Sequence, residues 1–334
     1  MCVEVKSMKL YLYEVRDDER ELIEKVSKEL GVEISCSGDV PTPENAGRLS
    51  GYDAVSILGQ GNISAGLLQK YSTLGIKYLS TRTIGYNHID LAAAKALGVS
   101  VCNADYPPNG VADFTVMLIL MCLRHYKQAM WRGQVNDFAL QGLQGRDMSS
   151  LTIGVLGTGR IGTQVLKNLS GFGCRLLAYN RRETAEAGKY AQFVDMDTLF
   201  RECDVISLHL PLTPETNHII NAESIAKMKD GVIIVNCARG ELTDIDALID
   251  GIETLKIGAL GMDTIEGEEG IIHLDHRTDI LANRNVFYLH QFRNVVMTQH
   301  MAFYTQEAVA SMVRCGIEGV VAMAGTGTYR TKLV

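Results

Sequence analysis

Short apolar runs alternate with charged, amphipathic stretches through the first hundred residues of the chain. The apolar runs are typical of buried strands, and the stretches between them, such as the one that begins at Asp17, are typical of helices. Because strands joined by helical crossovers pair in parallel, the pattern predicts a parallel sheet covered by helices. The predicted strands are Leu10 to Val15, Val32 to Cys36, Ala54 to Leu58, Ile76 to Ser80 and Val99 to Asn103.

Two prolines and a glycine interrupt this rhythm between Asp105 and Gly110, and we expect the chain to cross there into a second domain. A long apolar helix, about Val111 to Met130, is predicted to follow. Its most apolar part, Val116 to Leu123, is much shorter than the ~20 residues that cross a bilayer. This segment is therefore predicted to be a buried helix.

The alternation of strands and helices then returns and predicts a second doubly wound sheet. An amphipathic segment from about Gln306 to Met323 comes last and is expected to pack back onto the first domain, which would make that domain discontinuous. The predicted fold class is α/β, with two doubly wound parallel-sheet domains formed by residues 1–107 with 302–334 and by residues 108–301. The strands of the second domain are Leu151 to Leu156, Arg175 to Asn180, Val205 to Leu210, Val232 to Asn236, Ile257 to Met262 and Val295 to Thr298.

Composition narrows the classes of partner. The 334 residues are 46% apolar and carry a formal charge of −7, without a lysine or arginine run, so neither nucleic acid nor an anionic membrane is an expected partner. The eight cysteines lack metal-ligand spacing and are typical of reduced thiols in a cytoplasmic protein, and no metal site is predicted. Residues 1–7 contain no apolar signal-peptide core, and Met8 is a candidate original start.

A glycine-rich loop at Gly157, Gly159 and Gly162 lies between a predicted strand and a predicted helix. In this setting the first glycine forms the tight turn, the second lets the backbone approach a pyrophosphate, and the third lets helix and strand pack closely. The alternative is that these glycines only permit a turn in an α/β protein. We predict that residues 108–301 form a Rossmann dinucleotide-binding domain, with cofactor contacts from Gly157, Thr158, Gly159, Arg160, Ile161 and Gly162.

The next predicted strand ends without the acidic residue that commonly binds the ribose 2′-hydroxyl of NAD. Asn180 stands there instead, followed by Arg181 and Arg182. Adjacent guanidinium groups favour a 2′-phosphate, so NADP(H) is the favoured cofactor. In the alternative, NAD(H) is the cofactor, the two arginines are solvated, and Asn180 binds an ordinary ribose.

Three further residues follow predicted strands: Arg239, Glu268 and His300. An arginine can bind a carboxylate with a planar fork, a histidine can exchange a proton with a carbonyl oxygen, and a glutamate can orient that histidine. Each alone is more typical of a surface charge or a core histidine, and Glu266 and Glu269 compete with Glu268. Because ligands of parallel sheets bind beyond the carboxyl ends of the strands, the combination indicates an active site.

A set of motifs then resembles the D-2-hydroxyacid dehydrogenase family, in particular its D-lactate, D-2-hydroxyisocaproate and D-phenyllactate dehydrogenase branch. The resemblance extends over nearly the whole chain from Met8. It is carried by Arg82–Asp90, Ala104–Asn109, Gly157–Gly162, His209–Thr213, Cys237–Gly240, Met262–Thr264 and Gln299–Thr305.

The resemblance implies an enzyme that transfers hydride from NAD(P)H to a 2-oxo acid and yields a D-2-hydroxy acid. It implies a flavodoxin-like substrate domain, a hinge between the domains and a homodimer. Arg239 would bind the substrate carboxylate, Glu268 would support His300, and His300 would be the acid/base. Further implied contacts are His209, Pro211, Cys237 and Asp263 with the cofactor, and Ile84, Gly85, Tyr106 and Phe303 with the substrate.

Three departures from the branch pattern affect these expectations. Asn180 replaces an acid, Gln299 replaces a proline before the histidine, and the loop of residues 266–270 lacks the usual aromatic residue. The substrate is therefore left open between pyruvate and a branched or aromatic 2-oxo acid, with hydroxypyruvate or glyoxylate as the alternative. A dinucleotide-sensing interaction protein that resembles the C-terminal-binding-protein corepressors is the rival of another class, and the acidic composition argues against it.

Overall fold

The computed structural model describes residues 8–280 and 283–334. Its internal contacts divide the chain into two compact units, Met1–Pro107 with Tyr304–Val334, and Pro108–Phe303. Ala302 and Phe303 therefore belong to the second unit, whereas the sequence prediction assigned them to the first. The predictions for residues 1–7 lie outside the described residues.

The first unit contains a five-stranded parallel sheet in the order β2-β1-β3-β4-β5. Its predicted strands are all present, each one or two residues shorter than predicted. Strand β1 ends early because Glu14, two residues after it, adopts a left-handed conformation with φ of 57°. The elements are β1 (Lys9–Leu12), α1 (Arg20–Leu30), β2 (Glu33–Cys36), β3 (Ala54–Ile57), α2 (Ala65–Thr73), β4 (Tyr78–Thr81), α3 (Leu91–Ala96), β5 (Ser100–Cys102) and α11 (Gln306–Thr326).

Helix α11 packs on the sheet of the first unit and against α1. The hydroxyl of Ser80 on β4 donates to the carbonyl of Gly316 in this helix at 2.8 Å. Among the described helices it is the one long and apolar enough to span a membrane, but 56% of its most apolar window is buried within the protein. Such burial is typical of a core helix in a folded domain.

The second unit contains a seven-stranded parallel sheet in the order β12-β11-β10-β9-β6-β7-β8. The predicted α/β class with two parallel sheets is thus confirmed. The two-residue edge strand β8 had no sequence signal. The elements are α4 (Asn109–Leu123), α5 (Tyr126–Gln134), β6 (Thr152–Leu156), α6 (Arg160–Ser170), β7 (Arg175–Tyr179), β8 (Gln192–Phe193), α7 (Met196–Glu202), β9 (Val205–Leu208), α8 (Ala222–Lys227), β10 (Val232–Asn236), α9 (Ile245–Glu253), β11 (Ile257–Met262), α10 (Arg284–Gln291) and β12 (Val295–Met297).

The long helix predicted from Val111 to Met130 is wrong, because the chain forms two helices there. Helix α4 ends at Leu123, and His125 then adopts a left-handed conformation with φ of 49°. The carbonyl of Leu123 accepts the N–H of Arg146 at 3.2 Å. The chain that returns after α5 therefore caps α4, a tertiary contact that hydropathy does not record.

Candidate active site

The glycine-rich loop connects β6 to α6 as predicted, and two of its glycines are required by close contacts. A Cβ atom at Gly157, where φ is 94°, would lie 2.5 Å from the carbonyl oxygen of His209. A Cβ atom at Gly162 would lie 1.9 Å from the carbonyl oxygen of Gly157. These two positions explain the turn and the close packing of helix on strand.

Gly159 behaves differently, because no heavy atom lies within 4 Å of a Cβ atom built on it, and its φ of −68° suits any residue. Nothing among its described neighbours requires glycine there. Open space beside a helix N-terminus is what a pyrophosphate group needs, so the loop fits a dinucleotide better than a simple turn. Thr158 beside it is buried, and its Oγ1 has no hydrogen-bond partner among the described residues.

His209, Pro211 and Cys237 follow the neighbouring strands β9 and β10. The Nε2 atom of His209 lies 2.8 Å from the Oγ of Ser207. Burial lowers the pKa of His209 to about 3, so its ring is neutral at pH 7. Burial, and after it the charge of Asp263, raise the pKa of the Cys237 thiol, which is therefore protonated and not a nucleophile.

The segment after β7 contains Asn180, Arg181 and Arg182. The side-chain amide of Asn180 donates to the carbonyl of Arg182 at 2.7 Å, which closes a short turn. Both arginine side chains are exposed. The turn thus exposes two guanidinium groups, while the amide of Asn180 is engaged within it, and contact of these residues with a cofactor stays a prediction.

His300 and Glu268 form the central pair of the site. The Nδ1 atom of His300 lies 2.7 Å from Oε1 of Glu268, with side-chain exposures of 28% and 16%. The second carboxylate oxygen accepts the N–H of Ile265 at 3.0 Å. Because the carboxylate holds Nδ1 in its protonated form, Nε2 is the ring atom left to exchange a proton, and it bonds to no described residue.

Asp263 fixes the segment that carries His300. One of its carboxylate oxygens accepts from the hydroxyl of Thr298 at 2.6 Å and from the N–H of Met301 at 2.9 Å. The other oxygen accepts from the N–H of Ala302 at 2.9 Å. Asp263 thus holds the side chain of Thr298 before His300 and the backbone of Met301 and Ala302 after it, and its contact with a nicotinamide group stays a prediction.

Arg239 lies in a turn after β10 that buried Asn236 organises. The side chain of Asn236 donates to the carbonyl of Arg239 at 2.7 Å and accepts the N–H of Ala238 at 3.0 Å. At the next residue, a Cβ atom on Gly240 would lie 2.2 Å from the carbonyl carbon of Ile265. The arginine turn therefore abuts the backbone of the loop that carries Glu268.

Two aromatic rings flank His300. The rings of Phe303 and His273 lie 6.4 and 6.3 Å from the His300 ring, centroid to centroid. The Nε2 atom of His273 also lies 3.2 Å from the carbonyl oxygen of His300. Phe303 was predicted from sequence, whereas His273 was missed because no motif marks it.

In the first unit, the carbonyl groups of Ile84 and Gly85 both accept hydrogen bonds from nearby side chains. Asn103 donates to the carbonyl of Ile84 at 2.7 Å, and the hydroxyl of Thr83 donates to that of Gly85 at 2.6 Å. The N–H groups of Ile84 and Gly85 bond to no described residue, so they are available to an anion. Tyr106, also predicted, is buried in this unit.

The sequence prediction also missed Glu14 as an organiser of the loop of residues 58–62. Its carboxylate accepts the N–H groups of Leu58, Gly59 and Gly61, the last two at 2.8 Å. Burial raises the pKa of this carboxyl, although the three N–H groups and Arg82 oppose that shift. No pattern of polar residues marks this role.

Comparisons with known proteins bear on the family of the chain. Residues 116–302 match the family model of the D-isomer specific 2-hydroxyacid dehydrogenase NAD-binding domain. The chain is 41% identical to an aromatic 2-oxoacid reductase of Clostridium sporogenes over 98% of its length and 99% of the relative. Two solved structures also match it along nearly their whole length.

The apo structure of Escherichia coli D-lactate dehydrogenase has a TM-score of 0.87 and 36% identity, with 98% of this chain and 100% of that chain covered. The NAD-complexed D-isomer specific 2-hydroxyacid dehydrogenase of Lactobacillus delbrueckii ssp. bulgaricus has a TM-score of 0.84 and 29% identity, with coverage of 98% and 100%. The rival interpretation as a non-catalytic sensor is not favoured. The chain belongs to the D-2-hydroxyacid dehydrogenase family, whose members are oxidoreductases that reduce 2-oxo acids to D-2-hydroxy acids with a nicotinamide dinucleotide.

Proposed function

We propose that His300 is the acid/base of the reduction, that Glu268 orients it, and that Arg239 binds the substrate. The observation that supports this most is the 2.7 Å contact between His300 Nδ1 and Glu268 Oε1, which leaves Nε2 for the substrate. The arginine turn abuts the loop of Glu268, so the three residues lie on neighbouring segments at one edge of the sheet. A carboxylate and an adjacent carbonyl need this combination of fork and proton donor.

The glycine loop of residues 157–162 would hold a nicotinamide dinucleotide, which would supply the hydride for C2 of the 2-oxo acid. Arg239 polarises the carbonyl and holds the carboxylate through paired hydrogen bonds. His300 protonates the oxygen as negative charge develops on it, and Glu268 stabilises the imidazolium that precedes the transfer. In the first unit, the N–H groups of Ile84 and Gly85 are candidates to bind an anion and Tyr106 is a candidate substrate contact; in the second unit, Phe303 lies beside the ring of His300.

We infer that the dinucleotide contacts the glycine loop, Asn180, His209, Pro211, Cys237 and Asp263. The two exposed arginines and the missing carboxylate after β7 favour NADP(H). The NAD found in a related structure favours NAD(H) instead. Replacing Arg181 and Arg182 by alanine should raise KM for NADPH more than KM for NADH; equal effects would exclude a 2′-phosphate contact.

We propose an aromatic or branched 2-oxo acid as the preferred substrate, with pyruvate also accepted. The reductase of aromatic 2-oxoacids is more similar in sequence than the E. coli D-lactate dehydrogenase, and the ring of Phe303 lies near His300. Hydroxypyruvate and glyoxylate are the alternative substrates.

We further propose a cytoplasmic homodimer without nucleic-acid or membrane partners. An apolar groove of about 880 Å³ lies between α4 and α6, where Met117 is 40% exposed. Burial of such a groove in a dimer would remove apolar surface from water. Sedimentation at micromolar protein should give twice the mass of 36.7 kDa, and a single chain would refute the dimer.

Initial rates of NADH and NADPH oxidation against phenylpyruvate, 2-oxoisocaproate, pyruvate and hydroxypyruvate test the proposal. Fast oxidation with the aromatic or branched acid is expected, and chiral analysis of the product should give the D-isomer. Oxidation with hydroxypyruvate alone would overturn the substrate assignment, and no oxidation with either cofactor would overturn the activity.

A further inference from the structure

A second histidine–glutamate pair lies two residues from Glu268 and has no role in the proposed proton transfer. The Nε2 atom of His218 lies 2.7 Å from Oε1 of Glu266. The other carboxylate oxygen of Glu266 accepts the N–H of Ile245, the first residue of α9, at 3.3 Å. Glu266 therefore connects the loop of the catalytic glutamate to His218 and to the start of a helix.

Hydrogen bonds hold the backbone of His218 at both its N–H and its carbonyl group. Its N–H donates to the carbonyl of Glu241 at 2.8 Å, and its carbonyl accepts from the side chain of Asn221 at 2.9 Å. Its φ of 48° is left-handed, a conformation that a histidine rarely adopts without such support. Glu241 belongs to the arginine turn, residues 239–242, and Glu266 belongs to the glutamate loop, residues 264–268. His218 therefore bonds the arginine turn through its main chain and the glutamate loop through its ring.

The junction that His218 spans is a contact of backbone on backbone. A Cβ atom on Gly240 would lie 2.4 Å from the nitrogen of Glu266, so no side chain separates the arginine turn from the glutamate loop. The N–H groups of Asp263 and Thr264 donate to the carbonyl of Asn236 and connect the two segments where they begin, and His218 adds bonds farther along both. Among the described residues, His218 makes a hydrogen bond to each segment.

We propose that His218 and Glu266 are positioning residues that hold Arg239 and Glu268 in register for the reduction. This inference rests on the proposed roles of Arg239 and Glu268. Misplacement of reacting groups by about 1 Å can lower a rate by about 100-fold, so a bond that fixes two catalytic segments has a kinetic effect. The pair is partly exposed, 36% and 28%, and a merely structural ion pair of this kind would contribute little.

Two substitutions of His218 separate a positioning role from a merely structural one. His218→Leu removes the ring donor and keeps a side chain of similar bulk, whereas His218→Gln retains an N–H group able to donate to Glu266. Both variants carry the same left-handed backbone strain. The matched control is His125→Leu, because His125 has φ of 49° and its ring lies 3.1 Å from the carbonyl oxygen of Gln144, away from the site.

The measurements are kcat and KM for phenylpyruvate and pyruvate, the Kd of NADH and NADPH, and hydrogen exchange of residues 239–242 and 264–268. We expect His218→Leu to lower kcat/KM by about 10- to 100-fold and to speed exchange in both segments. The Kd of the dinucleotide should stay within about twofold of wild type. His218→Gln should recover most of the loss, and His125→Leu should behave like wild type.

A near-normal kcat/KM in His218→Leu would overturn the positioning role, whatever the exchange result. An equal loss in His125→Leu, or no recovery in His218→Gln, would also overturn it. If the wild-type protein reduces no 2-oxo acid, the proposed function fails, and the positioning role fails with it. In that case, unchanged exchange in residues 264–268 of His218→Leu would also show that the pair does not hold the loop.

Discussion

Two histidine–glutamate pairs of the second unit take their carboxylates from one short loop, and the two contacts have nearly the same geometry. His300 with Glu268 and His218 with Glu266 both have a nitrogen–oxygen distance of 2.7 Å, and both histidines have left-handed backbones with φ of 50° and 48°. Pair chemistry and distance therefore do not distinguish an acid/base from a positioning residue.

What differs is the bonding around each pair. His300 contacts its glutamate through Nδ1, and it is flanked by the rings of Phe303 and His273. His218 contacts its glutamate through Nε2, and its backbone bonds the arginine turn. The first arrangement exposes a ring nitrogen to a ligand, and the second connects two protein segments.

The largest expected effect comes from His300→Ala. Loss of a positioned general acid should lower kcat by about 10²- to 10⁴-fold, while the Kd of the dinucleotide changes little. Stopped-flow oxidation of NADH with phenylpyruvate measures the first quantity, and fluorescence titration measures the second. If His218→Ala lowered kcat as much as His300→Ala, the distinction between the pairs would fail.

Arg239→Lys should have the next largest effect. A lysine keeps the charge but cannot form two parallel hydrogen bonds with a carboxylate, and one lost bond to a charged group is worth about 1.5–3 kcal/mol. We expect kcat/KM for the 2-oxo acid to fall by about 10- to 100-fold, with KM for the dinucleotide nearly unchanged. Steady-state kinetics that show no change would remove Arg239 from the substrate site.

Replacing each glutamate by glutamine compares the two pairs directly. Glu268→Gln removes the negative charge that stabilises the imidazolium during proton transfer, so we expect a fall in kcat of about tenfold or more. Glu266→Gln keeps an oxygen for the His218 ring and should lower kcat by less. If Glu266→Gln lowered kcat more than Glu268→Gln, His300 and Glu268 would be the wrong pair for the acid/base role.

The smallest expected effect is on the pH dependence of stability, and it comes from His209, a histidine for which no carboxylate partner is described. Its pKa is about 3 when folded, against 6.5 for an ordinary histidine, because burial disfavours the charged ring. As the pH falls below 6.5, the unfolded chain binds a proton that the folded chain does not, so the free energy of unfolding decreases. Thermal melts without cofactor at pH 7 and pH 5 should show a smaller loss of Tm in His209→Gln than in wild type. An equal loss would contradict the contribution of His209 to the pH dependence of stability.

The sequence predicted the parts of the site that depend on local order. Hydropathy located the strands that precede Gly157, Arg239 and His300, and parallel pairing brings their carboxyl ends to one edge. The break between α4 and α5 was not predictable, because a returning segment after residue 144 causes it. The bonds of Asn103, Glu14 and His218 join residues distant in sequence, so no spacing could indicate them.

The most direct test is a crystal structure of the protein with NADH and oxamate, an unreactive analogue of pyruvate. The account predicts that the carbonyl oxygen of oxamate lies within about 2.6–3.2 Å of His300 Nε2, with its carboxylate on the Arg239 guanidinium. It also predicts that Glu268 keeps its bond to Nδ1. Oxamate bound elsewhere, or held with Nε2 turned away from its carbonyl oxygen, would contradict the assignment of His300 as the acid/base.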